Sequence, residues 1–228
     1  MTETKAMRTI RSFVRREGRL TPGQQNALEK LWPHFGLDDS GDELDLATLF
    51  GREAPRVLEI GFGNGASLTD MAKAQPEQDF IGVEVHRPGV GQLLKSIQTE
   101  SLTNVRVACT DAVELLKRRI RNQSLDRIQI YFPDPWHKKR HHKRRIIQPA
   151  FVNVLADKLK HGGYLHLATD WEDYAIQMLA DVSGNERFHN TSPTGDFIER
   201  PSYRPLTKFE QRGHRLGHGV WDLLFERV

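Results

Sequence analysis

From about residue 50 onward the chain alternates short, β-branched apolar runs with longer amphipathic stretches. The runs are Arg56–Ile60, Asp79–Val85, Asn104–Cys109, Asp126–Phe132 and Gly163–Thr169. Between or after them, apolar residues recur with helical spacing over Ser67–Lys73, Gly89–Thr99, Ala112–Arg121, Pro149–Lys160 and Trp171–Asp181. Strand and helix in repeated alternation point to βαβ crossovers on a parallel sheet. Pro149 and Gly162 are expected to start and stop the fourth helix, Pro tolerating a first helical turn and Gly a helix end. A last apolar run, Val220–Phe225, follows a loop-rich stretch over Asn185–Gly219 and is expected to return as an antiparallel closing strand. The fold class expected is therefore α/β, a mostly parallel, doubly wound sheet with an antiparallel C-terminal strand.

Residues 1–50 read differently, being rich in Arg, Gln and Asp. Leu20-Thr21-Pro22-Gly23 ahead of Gln24–Phe35 has the form of a capped helix, with Thr21 as N-cap and Pro22 at its first position. Asp38–Asp45, acidic and carrying Ser40 and Gly41, reads as a linker. The expected division is an N-terminal extension over 1–50 and a main domain over 51–228. At 38% hydrophobic and 28% charged residues the chain is neither an integral membrane protein nor a disordered one. The single cysteine, Cys109, removes internal disulfides and multi-cysteine metal sites, and beside Val107 and Ala108 it reads as a buried structural thiol. The basic N-terminus has no apolar run long enough for a signal sequence, so a cytoplasmic location is expected. Net charge is only +3, so the position of the charge matters more than its sum.

In Val57-Leu58-Glu59-Ile60-Gly61-Phe62-Gly63-Asn64-Gly65-Ala66 a strand runs straight into a glycine-rich turn, where backbone can approach a ligand. Gly61, Gly63 and Ala66 also satisfy the looser dinucleotide pattern, which keeps a nicotinamide or flavin oxidoreductase open. Three carboxylates narrow the choice: Glu59 before the glycines, Glu84 at the end of the second run, and Asp111 just beyond the third. All are expected at the carboxyl ends of adjacent parallel strands, the edge where such sheets bind ligands. A carboxylate at Glu59 repels a pyrophosphate and attracts a sulfonium, which favours S-adenosylmethionine over NAD.

The fourth run ends in Tyr131-Phe132-Pro133-Asp134-Pro135-Trp136, and nine basic or titratable residues follow from His137 to Arg145. Six of the nine, Lys138, Lys139, Arg140, Lys143, Arg144 and Arg145, carry fixed charge. That density of like charge calls for a polyanion, and RNA phosphate is the usual one. A solvated basic face, or a non-catalytic RNA-binding module, is the plainer alternative. His137 with His141, and His214 with His218, have helical metal-pair spacing, but surrounding cations oppose another cation and no metal is expected. Trp136 could stack on a base. Asp134, fixed between two prolines, would project its carboxylate over the cofactor edge.

With these motifs in place the sequence is similar to the tRNA (guanine-N7-)-methyltransferase family, class I methyltransferases of Rossmann-like fold that use S-adenosylmethionine. The resemblance runs from about Arg11 to the C-terminus. It takes in Arg11-Ser12-Phe13-Val14-Arg15, the glycine loop, Gly82-Val83-Glu84-Val85, Pro133-Asp134-Pro135-Trp136, Ala168-Thr169-Asp170-Trp171 and Arg204-Pro205-Leu206-Thr207-Lys208-Phe209-Glu210. It implies that Glu59, Gly61, Gly63, Glu84, Asp111 and Asp134 hold the cofactor, with Asp134 also catalytic. It further implies that Lys138, Asp170, Thr207, Lys208, Phe209 and Glu210 meet the substrate or complete its pocket. Arg140, His141, His142, Lys143, Arg144 and Arg145 correspond to the tRNA-contacting stretch. The activity implied is methylation of guanine N7 in the variable loop of tRNA, by a monomer or homodimer without membrane or metal. An exocyclic-amino methyltransferase stays open as the neighbouring chemistry, although its Asp-Pro-Pro-aromatic motif would need proline where Trp136 stands.

Overall fold

The computed structural model describes residues 18–38, 40–207, 210 and 219–228. Helix α1 (Pro22–Phe35) begins as expected: Thr21 Oγ1 accepts from the Gln24 amide at 3.3 Å, and Gln24 Oε1 accepts from the Thr21 amide at 2.9 Å. The reciprocal pair closes donors that a helix start leaves open. Next come β1 (Gly36–Leu37) and α2 (Leu46–Phe50), the latter capped by Asp45. The main run then lays down β2 (Arg56–Ile60), α3 (Ala66–Ala74), β3 (Asp79–Val83), α4 (Arg87–Thr99), β4 (Val105–Ala108) and α5 (Ala112–Arg119). It continues with β5 (Leu125–Tyr131), a 3-10 turn (Lys139–Arg144), α6 (Pro149–Lys158), β6 (Leu159–Thr169), α7 (Glu172–Ser183), β7 (Phe188–Asn190) and β8 (Trp221–Arg227).

The sheet order is β1-β4-β3-β2-β5-β6-β8-β7. Strands β1 to β6 run parallel, β8 runs antiparallel to β6, and β7 antiparallel to β8. Parallel strands covered on both faces need apolar residues throughout, and β2 and β3 are buried at every position. One face packs Leu58, Ile81, Ile130 and Leu167 under α5, α6 and α7, and the other packs Val57, Phe80 and Val107 under α1, α3 and α4.

The five expected strands, the five helices and the closing strand are present, with ends shifted by a few residues. Gly162 does not stop α6. The helix ends at Lys158, whose ammonium reaches the Ile120 carbonyl and Asn122 Oδ1, both at 2.7 Å. Gly162 instead lies inside β6 at φ +75°, where pairing with β5 shifts register. The stretch from Asp38 to Asp45 is not a free tether, because the Arg119 guanidinium donates to the carbonyls of Asp38, Ser40 and Asp42. Strands β1 and β7, helix α2 and the 3-10 turn are too short to show a period in sequence.

Candidate active site

Strand order reverses between β2 and β5, and the crevice outside the carboxyl ends at such a switch point is where open α/β sheets receive ligands. A cavity of about 720 Å³ opens there. It is walled by the ends of four strands: Ile60 and Gly61, Val83 to His86, Thr110 to Ala112, and Ile130 to Lys138. The glycine loop presents bare backbone to open space. Gly61 and Gly63 hold φ of +78° and +60°, and a Cβ at either would meet nothing within 4 Å. On the loop's other side a Cβ at Gly89 would lie 2.0 Å from the Gly63 carbonyl oxygen, so only glycine lets α4 start this close.

Glu84 clasps this loop to the end of β3. Its Oε2 accepts from the Gly63 amide at 2.9 Å, and its Oε1 accepts from the amides of Val85 and His86 at 2.7 and 3.0 Å. Asp111 lines the cavity and also caps α5, accepting from the Val113 amide at 2.9 Å. Glu59 departs from the expected rim of three carboxylates. It is 3% exposed and is not a lining residue, nor is Gly63. Its Oε2 accepts from Gln129 Nε2 at 2.8 Å. Burial pushes the Glu59 carboxyl up to about 7 against the pull of Gln129 and Arg127, and the charge of Glu84 adds to the rise.

Asp134 is exposed on the cavity wall, in a loop bounded by two residues of left-handed backbone, Phe132 at φ 51° and Trp136 at φ 50°. Non-glycine residues hold such angles only where their surroundings enforce them. The Phe132 amide donates to the Ala168 carbonyl at 2.8 Å, and Arg145 Nε donates to the Pro135 carbonyl at 2.8 Å. Trp136 carries the Arg144 guanidinium 5.0 Å from its ring centre, and His137 packs edge-on against the exposed Trp171 at 4.2 Å. Lys138 is exposed on the lining, whereas Asp170, exposed at the end of β6, lies outside it.

In the basic run Lys139, Arg140 and Lys143 are exposed, and His141, His142 and Arg144 are half-buried. Arg145 is corrected from an expected tRNA contact to an internal brace. It is 2% exposed, with Gln177 Oε1 at 2.7 Å, Asp173 Oδ2 at 2.6 Å and the Tyr174 ring 4.7 Å from its guanidinium. Its donors are spent inside the fold. Desolvation, followed by the charges of Arg140, Arg144, Lys138 and Lys143, holds His141 below the usual histidine range. Among the described residues no group of three or more His, Cys, Asp or Glu could hold a metal ion. Cys109 proves half-buried, bordering a second cavity between α1 and the ends of β3 and β4.

Thr207 and Glu210 form a capping pair, Thr207 Oγ1 accepting from the Glu210 amide at 3.1 Å. Glu210 is 3% exposed, both its oxygens accept from Arg204, at 2.7 and 2.8 Å, and it is not among the residues that line the cavity. Lys208, Phe209, His214, His218 and the stretch from Arg11 to Arg15 lie outside the described residues. Sequence reasoning missed a polar layer behind the cavity. Tyr131 and Tyr203 place their hydroxyls 2.8 and 2.9 Å from His166 Nδ1, and His166 Nε2 lies 2.8 Å from Asp222 Oδ1. The signal available was a polar residue between two aliphatic ones in a central strand, as in Ile128-Gln129-Ile130 and Leu165-His166-Leu167.

A family model described as "Putative methyltransferase" matches residues 53–223. A tRNA (guanine-N(7)-)-methyltransferase of Aeromonas hydrophila subsp. hydrophila is 64% identical over 98% of this chain and 94% of its own length. One from Klebsiella pneumoniae subsp. pneumoniae is 59% identical over the same shares. Among solved structures the 16S rRNA methyltransferase KamB superposes with a TM-score of 0.60 at 14% identity, covering 82% of this chain and 96% of its own. At that identity the likeness concerns the fold.

Proposed function

Because the chain belongs to the tRNA (guanine-N(7)-)-methyltransferase family, we propose that it moves the methyl group of S-adenosylmethionine to N7 of a guanine in the variable loop of tRNA. The observation that carries this reading is the composition of one cavity mouth. Bare glycine backbone and two carboxylates line its inner side, and exposed Asp134 and Lys138 line its outer side beside a cationic turn.

The donor set suits the cofactor. S-adenosylmethionine supplies an electrophilic methyl on a sulfonium and carries no phosphate. The open space over Gly61 admits a ligand against backbone, and Glu84 and Asp111 are acceptors for hydroxyl or amino groups. Glu59, held near neutrality by burial, lies one residue from the glycine loop, and a cation bound there draws it toward ionisation.

Guanine N7 offers an in-plane lone pair and no proton, so the residues need to align the base, and no strong general base is required. Asp134 accepts from the N–H edge of the guanine and offsets the positive charge that the base acquires. Lys138 and the exposed Lys139, Arg140 and Lys143 meet the phosphates that deliver the base, while half-buried Arg144 borders them. Asp170 and Thr207, which are not lining residues of the cavity, are assigned to the substrate on the resemblance of their motifs. This assignment leaves no role for a nicotinamide or for a non-catalytic RNA module.

The test is incubation with an unmodified tRNA transcript and methyl-labelled S-adenosylmethionine, followed by cleavage selective for N7-methylguanosine. Label at a single variable-loop guanosine is expected. Label on an exocyclic amine, or bound cofactor without transfer, overturns the reading.

A further inference from the structure

Among the described residues Arg204 is one of the largest fully buried side chains, at 0% exposed. Its edge is used twice. Nε and Nη2 donate to Asp222 Oδ1 and Oδ2 at 2.7 and 2.8 Å, and Nη1 and Nη2 donate to Glu210 Oε2 and Oε1 at 2.8 and 2.7 Å. Asp222 is held from behind by His166, which in turn meets the hydroxyls of Tyr131 and Tyr203. Burial opposes the guanidinium charge, and its hydrogen bonds to Glu210 and Asp222 outweigh that opposition. Two in-plane forks fix the orientation of a planar cation in a way that a lysine ammonium could not reproduce.

The guanidinium carbon lies 5.7 Å from the Tyr131 ring centre and 5.6 Å from that of Phe132. Both rings belong to the cavity wall, and the left-handed backbone of Phe132 turns β5 into the Asp134 loop. A loop with such angles at both ends keeps its shape only if each end is braced. Arg145 braces the far end through the Pro135 carbonyl. Arg204 stands at the near end.

We propose that Arg204 is a positioning residue for methyl transfer: locked by Asp222 and Glu210, it backs Phe132 and so fixes where Asp134 stands at the cavity mouth. The proposal rests on the role assigned to Asp134 above.

A double-mutant cycle of Arg204→Lys and Asp134→Asn tests it, read as kcat on tRNA together with tRNA affinity and the thermal midpoint. Arg204→Lys should fold, keep tRNA affinity, and lose kcat by about 100-fold, the order that a misplacement of about 1 Å costs. In the Asp134→Asn background the same substitution should cost less than about 3-fold, because residues acting as one unit are not additive. Wild-type kcat in the folded Arg204→Lys variant, or the full penalty in both backgrounds, overturns the proposal. Full turnover by Asp134→Asn alone overturns the role of Asp134 and this proposal with it, and the single variant identifies that case. If Arg204→Lys does not fold, Glu210→Gln, which removes a charge from one fork while keeping its shape, enters the same cycle with the same outcomes.

Discussion

Strands β5, β6 and β8 present two unlike faces. On one, Ile128, Ile130, Leu165, Leu167, Leu223 and Phe225 are buried under α6 and α7. On the other, the alternate residues Arg127, Gln129, Tyr131, His166 and Asp222 meet Tyr203, Arg204 and Glu210. The aliphatic face asks only for volume and shape, and many side chains could supply them. The polar face asks for particular partners at hydrogen-bond distance, since each buried group left unmatched is costly. The same strands thus carry a face that makes the domain fold and a face that fixes where the Asp134 loop stands.

The sharpest way to break this contrast is to damage both faces by similar amounts. Asp222→Ala leaves Arg204 and His166 without their shared partner and should cost about 3–5 kcal/mol. Leu167→Ala leaves a cavity and should cost about 2–5 kcal/mol. Urea melts should record both losses. Turnover measured well below either midpoint should then separate them, the Leu167 variant staying close to the unaltered chain and the Asp222 variant losing most activity. Equal activities would dissolve the contrast.

Glu59 extends the polar face to β2 through Gln129, and its effect is next in size. Its carboxyl is raised from 4.5 to about 7, so the folded chain binds the proton more tightly than the unfolded one. Stability from this group is therefore full below about 4.5 and falls as pH rises toward about 7, by on the order of 3 kcal/mol. Glu59→Gln should flatten that decline in melts of the ligand-free protein and weaken S-adenosylmethionine binding in calorimetry. Tyr203→Phe, which deletes one hydroxyl at His166 Nδ1, should cost about 1 kcal/mol in the same melts. Smallest in free energy, Lys143→Ala should leave stability alone and lower the salt slope of tRNA affinity by about 0.7 to 0.9, one phosphate contact. Arg145→Ala should do the reverse, since its charge is already spent on Asp173.

Periodicity made the aliphatic face legible, and with it the order of strands and helices. Glycines before a helix, and acids at strand ends, made the cavity legible as well. The polar face was harder, because Gln129 and His166 each sit singly between aliphatic residues and the runs still read as apolar. Gln129 finds Glu59 70 residues earlier, and His166 finds Tyr203 and Asp222 37 and 56 residues further on, separations that no local rule links. Density of charge suggested that Arg145 faces tRNA along with its neighbours, yet the 3-10 turn carries it inward. Composition gives the sign of a residue, and only the path of the backbone decides which way it turns.

The two-residue strand β1 has a consequence for how the molecule behaves in company. Composition changes near residue 50, and a truncation there would look natural. Yet Gly36 and Leu37 pair with Val107 and Ala108, and Arg106 of β4 lies 5.8 and 4.8 Å from the rings of Phe35 and Phe50 while donating to the Leu49 carbonyl. Removing residues 1–50 would uncover β4 as an open edge bearing Val105 and Val107, a template for another chain's strand. The shortened protein should self-associate, with light scattering rising more steeply than its concentration as the average mass grows. Two residues, Gly36 and Leu37, are what close that edge.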